Sequence, residues 1–168
     1  GLLITIDSSH FPDKPNNLPQ DENSIYGKIL FIDFKNKNSL VFSKGHRNQQ
    51  GLYVDNDLIL TTEHGPRSGD EINKILFNKN YGWPIASYGE KYSVNNSKKS
   101  SYTKNHYSQG FEEPLFAFVP AIGISEIIQL PNTFSEIFDN NFIISSLYGY
   151  NIFRIKFDKD YTRVIFSE

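Results

Sequence analysis

The chain has 168 residues, enough for one domain with its own hydrophobic core, and its 38% hydrophobic and 21% charged content is that of a globular protein. A net charge of -2, with Lys and Arg scattered among Asn and Ser, excludes an electrostatic case for nucleic acid or an anionic membrane. The absence of cysteine excludes disulfides, thiolate metal sites and cysteine nucleophiles, and no apolar run reaches the roughly 18 residues of a membrane-spanning helix.

In chain order, the first predicted strand is LLITI at 2–6, which opens the chain with no basic leader, so no signal peptide is expected within these residues. A Pro-, Asn- and Ser-rich stretch at 7–27 follows, then strands at 28–34, 39–43, 51–54 and 57–63. Val54-Asp55-Asn56-Asp57-Leu58 supplies the tight turn of a hairpin between the last two. A strand at 71–77 precedes a Tyr-, Ser-, Asn- and Lys-rich segment at 89–113. Strands at 114–119, 124–130, 141–147, 151–158 and 162–167 complete the pattern, the last pair joined through Asp158-Lys159-Asp160-Tyr161. These runs are short, β-branched or aromatic, and bounded by Gly, Asn, Asp or Pro, as strands are. Eleven of them predict an all-β sandwich, barrel or propeller. At about 40–50 residues per four-stranded blade, the length suits three to four blades.

Polar chemistry gathers at both ends of one hairpin. Arg47, Asn48 and Gln50 follow Gly45-His46 just before the strand at 51–54. A guanidinium fork beside two amides suits a flat ligand rich in carboxylates and carbonyls. The same residues would equally serve a loop held by side-chain to backbone bonds. Glu63-His64-Gly65-Pro66 ends the following strand. Its Gly-Pro turn displays backbone carbonyls of the kind that hard cations take, and Asp70 and Glu71 place carboxylates nearby. Acidic loop residues of this sort are more often simply solvated. Trp83, the one tryptophan, sits between Gly82 and Pro84 and is expected to be a packing anchor. His10 and His106 fall in polar segments without metal-ligand spacing and receive no role.

Read as one string, GHRNQQGLYVDNDLILTTEHGPRSGDEINKILFNKNYGWPIASYGEKY resembles the soluble glucose/sorbosone (aldose sugar) dehydrogenases, the quinoprotein family. The family pattern GHRNPQGL, TEHGP, an Asp-Glu pair and NYGWP recurs here in order and with nearly the same gaps. IYGKILFIDF upstream resembles the family's LGKILRID strand, and FEEPLFAFVPAIGIS downstream resembles its EEPLYYWVPSIAPS, so the likeness runs through nearly the whole chain.

The resemblance implies a six-bladed β-propeller of the quinoprotein dehydrogenase type that binds pyrroloquinoline quinone (PQQ) and calcium and oxidises the C1 hydroxyl of an aldose. This chain would be about three blades of it, a single partial propeller. Residues 1–44 would end one blade, 45–110 would carry the cofactor motifs and a long loop, and 111–168 would form the next blade or blades. Carried over, Arg47, Asn48, Gln50 and His64 would face the quinone. The carbonyls of Gly65 and Pro66 would bind calcium, while Glu71 and Tyr81 match positions that hold a second, structural calcium. A sugar substrate and a periplasmic or secreted location are further implications.

The departures matter as much. The family's general-base histidine belongs to an earlier blade, so no catalytic residue is assigned here. Gln49 replaces the motif's proline, Asp7 and Ser8 follow Thr5-Ile6 without the family's acidic residue, and Phe118 stands where a Trp lines the substrate entrance. Tyr148 takes the place of a quinone-contacting lysine. The expected partner is the missing half of the propeller or a second copy of the chain closing the ring. The alternative is a non-catalytic propeller acting as a binding module.

Overall fold

The computed structural model describes residues 1–9, 17–92, 102–131, 133–134, 136–138, 140–148 and 150–168. It is all β apart from two short 3-10 turns, and its strands fall into three four-stranded sheets. The first sheet runs β1 (Leu2–Ile6), β2 (Lys28–Asp33), β3 (Asn38–Lys44) and β7 (Lys79–Asn80). The second runs β4 (Gln49–Asp55), β5 (Leu58–Glu63), β6 (Asp70–Lys74) and β8 (Phe116–Phe118). The third runs β12 (Val164–Ser167), β11 (Ile152–Phe157), β10 (Asn141–Ser146) and β9 (Ile124–Gln129). The fold is that of a partial β-propeller.

All eleven predicted strands are present, with ends shifted by a few residues. Two differences have physical causes. The strand expected over 71–77 stops at Lys74, and the amide of Ile75 is satisfied by Ile59 O at 2.8 Å instead. The twelfth strand, β7, pairs parallel with β3 through Ser43↔Lys79 and Lys44↔Asn80. Two polar residues carry no periodic signal, so only the long-range pairing reveals it.

The second sheet is sandwiched between the other two, and its β5 is buried nearly throughout. Side chains alternate across a strand. Leu60 therefore joins Ile72, Phe118, Ile127, Phe142 and Ile144 between the second and third sheets. Ile59 joins Ile29, Ile75 and Tyr81 between the first and second. Thr62 Oγ1 ties the second sheet to the third by donating to the carbonyl of Ser125 and accepting from Gly51 N at 2.8 Å.

The registers also decide where the loops go. Ile6 pairs with Lys28, Lys28 with Lys44, Gln49 with Glu63, and Glu63 with Glu71. Residues 7–9 and 17–27 and the connections 45–48 and 64–69 therefore emerge at one end of the first two sheets. The loop at 119–123 and residues 147–148 join them, because Phe118 pairs with Asp70 and Ser146 with Ile124.

Candidate functional site

The hairpin β4–β5 places its two polar ends together. Gln49 and Glu63 are directly opposed, and one step beyond them His64 N donates to Asn48 O at 2.9 Å. Arg47 Nη1 donates to His64 O at 3.0 Å. Its guanidinium lies over the Trp83 ring, 5.4 Å from the centroid. Arg47, His64, Gly65, Glu71 and Tyr81 line one recess, together with Glu63, Trp83 and Ser87. Asn48 and Gln50 stand at the same end of the hairpin, where Gln50 Nε2 donates to Asn48 Oδ1 at 2.7 Å.

Two glycines make this arrangement possible. Gly45 has φ +78°, and a Cβ there would fall 2.1 Å from Asn80 Oδ1. At Gly65 a Cβ would fall 1.9 Å from the carbonyl oxygen of Ser68, so the turn closes only without a side chain. Asp70 fixes that turn: its Oδ1 accepts from Gly65 N at 3.1 Å, and its Oδ2 accepts from Ile122 N and Ile124 N, both at 3.0 Å. Burial opposes its ionisation, but bonding from His64, Ile124 and Gly65 outweighs that and holds the carboxyl below its ordinary value. Asp70 is thus a clamp between the second sheet and the third, with both oxygens engaged, and not the free loop carboxylate that its sequence context suggests.

The donor set can be tested against the implied groups. Among the described residues, none donates a hydrogen bond to the carbonyl oxygen of Gly65 or Pro66. Two adjacent carbonyls with no donor among the described residues, next in sequence to the His64 carbonyl that Arg47 bonds, suit a hard cation bridged to an anionic ligand. The Tyr81 hydroxyl is already committed, donating to Lys74 O at 2.5 Å and accepting from Leu76 N at 3.0 Å. Tyr81 could therefore reach a cation only through its carbonyl. Glu71 is buried, and burial first, then the charge of Glu63, pushes its pKa up to about 8. No group of three or more His, Asp or Glu side chains suited to a metal occurs among the described residues.

Several participants carry no signal in the sequence. His106, expected in a polar segment, is fully buried; it stacks on Tyr88 and lies 3.9 Å from Glu71 Oε1 and 3.6 Å from Glu113 Oε2. His46 is likewise sealed, between Ser43 and Glu63. Lys28 is buried, its Nζ donating to the carbonyls of Leu18, Pro19 and Tyr26 at 2.9, 3.0 and 3.3 Å. Their contacts join residues far apart in sequence, which no local motif encodes. Trp83 is a buried anchor as expected, and it also lines the recess. Tyr148 stands at the site end with 79% of its surface exposed. His10 lies outside the described residues.

The family described as glucose/sorbosone dehydrogenase matches residues 16–167. Over 107 residues the chain is 35% identical to an aldose sugar dehydrogenase of Escherichia coli (strain K12), covering 62% of this chain and 28% of that protein. Over 100 residues it is 34% identical to quinoprotein glucose dehydrogenase B of Acinetobacter calcoaceticus, covering 52% and 21%. The crystal structure of the soluble E. coli aldose sugar dehydrogenase in its apo form is similar with a TM-score of 0.77 and 25% identity, over 96% of this chain and 48% of that one. A PQQ-bound aldose sugar dehydrogenase from Streptomyces coelicolor is similar with a TM-score of 0.62 and 25% identity, over 90% and 41%. The chain spans about half the length of these solved proteins. No helix among the described residues is long and apolar enough to cross a membrane.

Proposed function

This chain belongs to the glucose/sorbosone dehydrogenase family, and from that premise we propose that it builds the cofactor-facing part of a PQQ- and calcium-dependent enzyme oxidising an aldose at C1. The supporting observation is that Arg47, bonded to His64 O, and Gly65 line one recess at one end of a single hairpin, where no described residue donates to the carbonyl of Gly65 or Pro66. Arg47 would pair with the carboxylates of the quinone, Asn48 and Gln50 would hydrogen-bond its polar edge, and His64 would border it. The carbonyls of Gly65 and Pro66 would hold the calcium ion. Glu71, with the carbonyl of Tyr81, would hold a structural calcium. PQQ, when bound, supplies the hydride acceptor; the protein supplies orientation and charge.

Proton abstraction from the sugar would fall to the rest of the ring, carried by a longer form of this polypeptide or by a partner. Periplasmic or secreted location follows from the family reading and agrees with a chain free of cysteine. Calorimetry with calcium and PQQ tests the proposal: coupled uptake of both supports it, and no uptake of either by the complete protein removes it.

One observation favours a second reading. Tyr148 offers no positive charge at its exposed position, as expected of a propeller that binds without catalysing. A dye-linked assay across aldoses, with calcium and PQQ supplied, separates the two, since robust turnover excludes the second.

A further inference from the structure

A buried hydrogen-bond chain runs from the first sheet to the site, and none of the cofactor roles above uses it. Ser43 Oγ lies 2.9 Å from His46 Nε2, and His46 Nδ1 lies 3.1 Å from Glu63 Oε2. The other Glu63 oxygen accepts the backbone N–H of Arg47. Ser43, His46 and Glu63 are all buried. The Tyr81 ring stacks on the imidazole with centroids 4.6 Å apart, and its hydroxyl is pinned between Lys74 and Leu76.

We propose that Ser43, His46 and Glu63 set the place of Arg47 over Trp83 and beside the Gly65-Pro66 turn, so that His46 is a positioning residue of the cofactor site. Glu63 accepts at both oxygens, which makes His46 Nδ1 the donor and leaves Nε2 to accept from the Ser43 hydroxyl. Each link is thereby directional. A ring held at both nitrogens and on one face keeps Glu63 in a single orientation, and Glu63 in turn holds the Arg47 backbone. The Arg47 carbonyl is fixed independently, accepting from Ser8 N at 2.8 Å and Ser8 Oγ at 3.2 Å. With its backbone held on both sides, Arg47 starts from a fixed point from which its guanidinium lies on Trp83 and reaches His64 O. The order Ser–His–acid is also that of a nucleophile relay. Ser43, however, is 1% exposed within a paired strand and has no room for a substrate carbonyl. The chain orients; it does not attack.

The consequence for PQQ rests on the function proposed above, whereas the placement of Arg47 does not. The chain contains one tryptophan, Trp83, directly beneath the guanidinium, so its fluorescence reports on Arg47 without any cofactor. Ser43→Ala and His46→Gln are expected to shift Trp83 emission and raise its acrylamide quenching about twofold, while Ser43→Thr, which keeps the hydroxyl, behaves as wild type. With calcium present, Ser43→Ala is expected to weaken PQQ binding about fivefold, in the range of one lost hydrogen bond, and Ser43→Thr to restore it. Unchanged Trp83 emission in Ser43→Ala, with the circular dichroism spectrum intact, overturns the proposal even if His46→Gln fails to fold. A wild-type chain that takes up no PQQ counts against the function proposed above, and the fluorescence then decides this inference alone.

Discussion

The guanidinium of Arg47 donates to the backbone carbonyl of His64 at 3.0 Å, linking the residue two places before β4 to the residue that follows β5. Gln49 pairs with Glu63 beyond a register shift that falls between Gln49 and Leu52, and that pairing brings the two together. Arg47→Ala is expected to leave the fold intact and weaken PQQ binding about 10–100-fold, the effect of losing one or two charge-assisted bonds. Arg47→Lys is expected to recover little, since an ammonium cannot span a carboxylate with two parallel bonds. Calorimetric affinities of the calcium-loaded protein check both.

Asp70 accepts three backbone N–H groups, from the turn at Gly65, the loop at Ile122 and the start of β9 at Ile124. Asp70→Asn keeps the shape but loses the charge and turns one acceptor into a donor, so a loss of roughly 2–3 kcal/mol is expected. The sign with pH follows from the lowered carboxyl value. Stability from Asp70 is complete above the ordinary value of 3.8 and is lost as pH falls through the depressed one. Urea midpoints for wild type should therefore fall faster than those of Asp70→Asn below about pH 4.

Glu71 has the opposite sign. Burial and the neighbouring Glu63 raise its carboxyl from 4.5 to about 8, so the folded chain holds a proton that the unfolded chain releases. Without metal, stability falls as pH rises from 4.5 to about 8. Glu71→Gln should remove that slope, melting above wild type at neutral pH in chelator and level with it near pH 4.5. Calcium should reverse the order at neutral pH if Glu71 holds the ion, because the charged carboxylate binds the cation more strongly than the neutral amide oxygen of Gln.

Lys28 satisfies three carbonyls of the 17–27 segment. Pro19, one of the three, also accepts from Gly45 N at 3.2 Å, and Gln20 Nε2 donates to Trp83 O at 2.8 Å. Lys28→Met should cost roughly 1–3 kcal/mol by removing the three bonds through which the buried amine ties this segment to β2. Burial draws the Lys28 pKa down from 10.5 to about 8, so wild type gains stability as pH rises through that window. The deficit of Lys28→Met should widen from pH 8 to 10.5 in denaturant titrations.

Sequence alone was enough for the strands, because short β-branched and aromatic runs bounded by turn residues carry the strand signal in neighbouring side chains. KILFID, LILTTE and IFRIKF needed no partners to be recognised. It was also enough for the family, because GHRN, HGP and NYGWP lie in order along one chain. Tertiary structure alone decided which polar residues are sealed and what they hold. Ser43, His46 and Glu63 lie on two sheets and the loop between them, and Asp70 reaches amides more than 50 residues onward. Lys28 reads locally as a charged residue opening a strand, yet the backbone of a neighbouring loop encloses it. The division has one physical cause: hydrophobic period is a property of neighbours along the chain, whereas the burial and pairing of a polar atom depend on segments that only folding brings together.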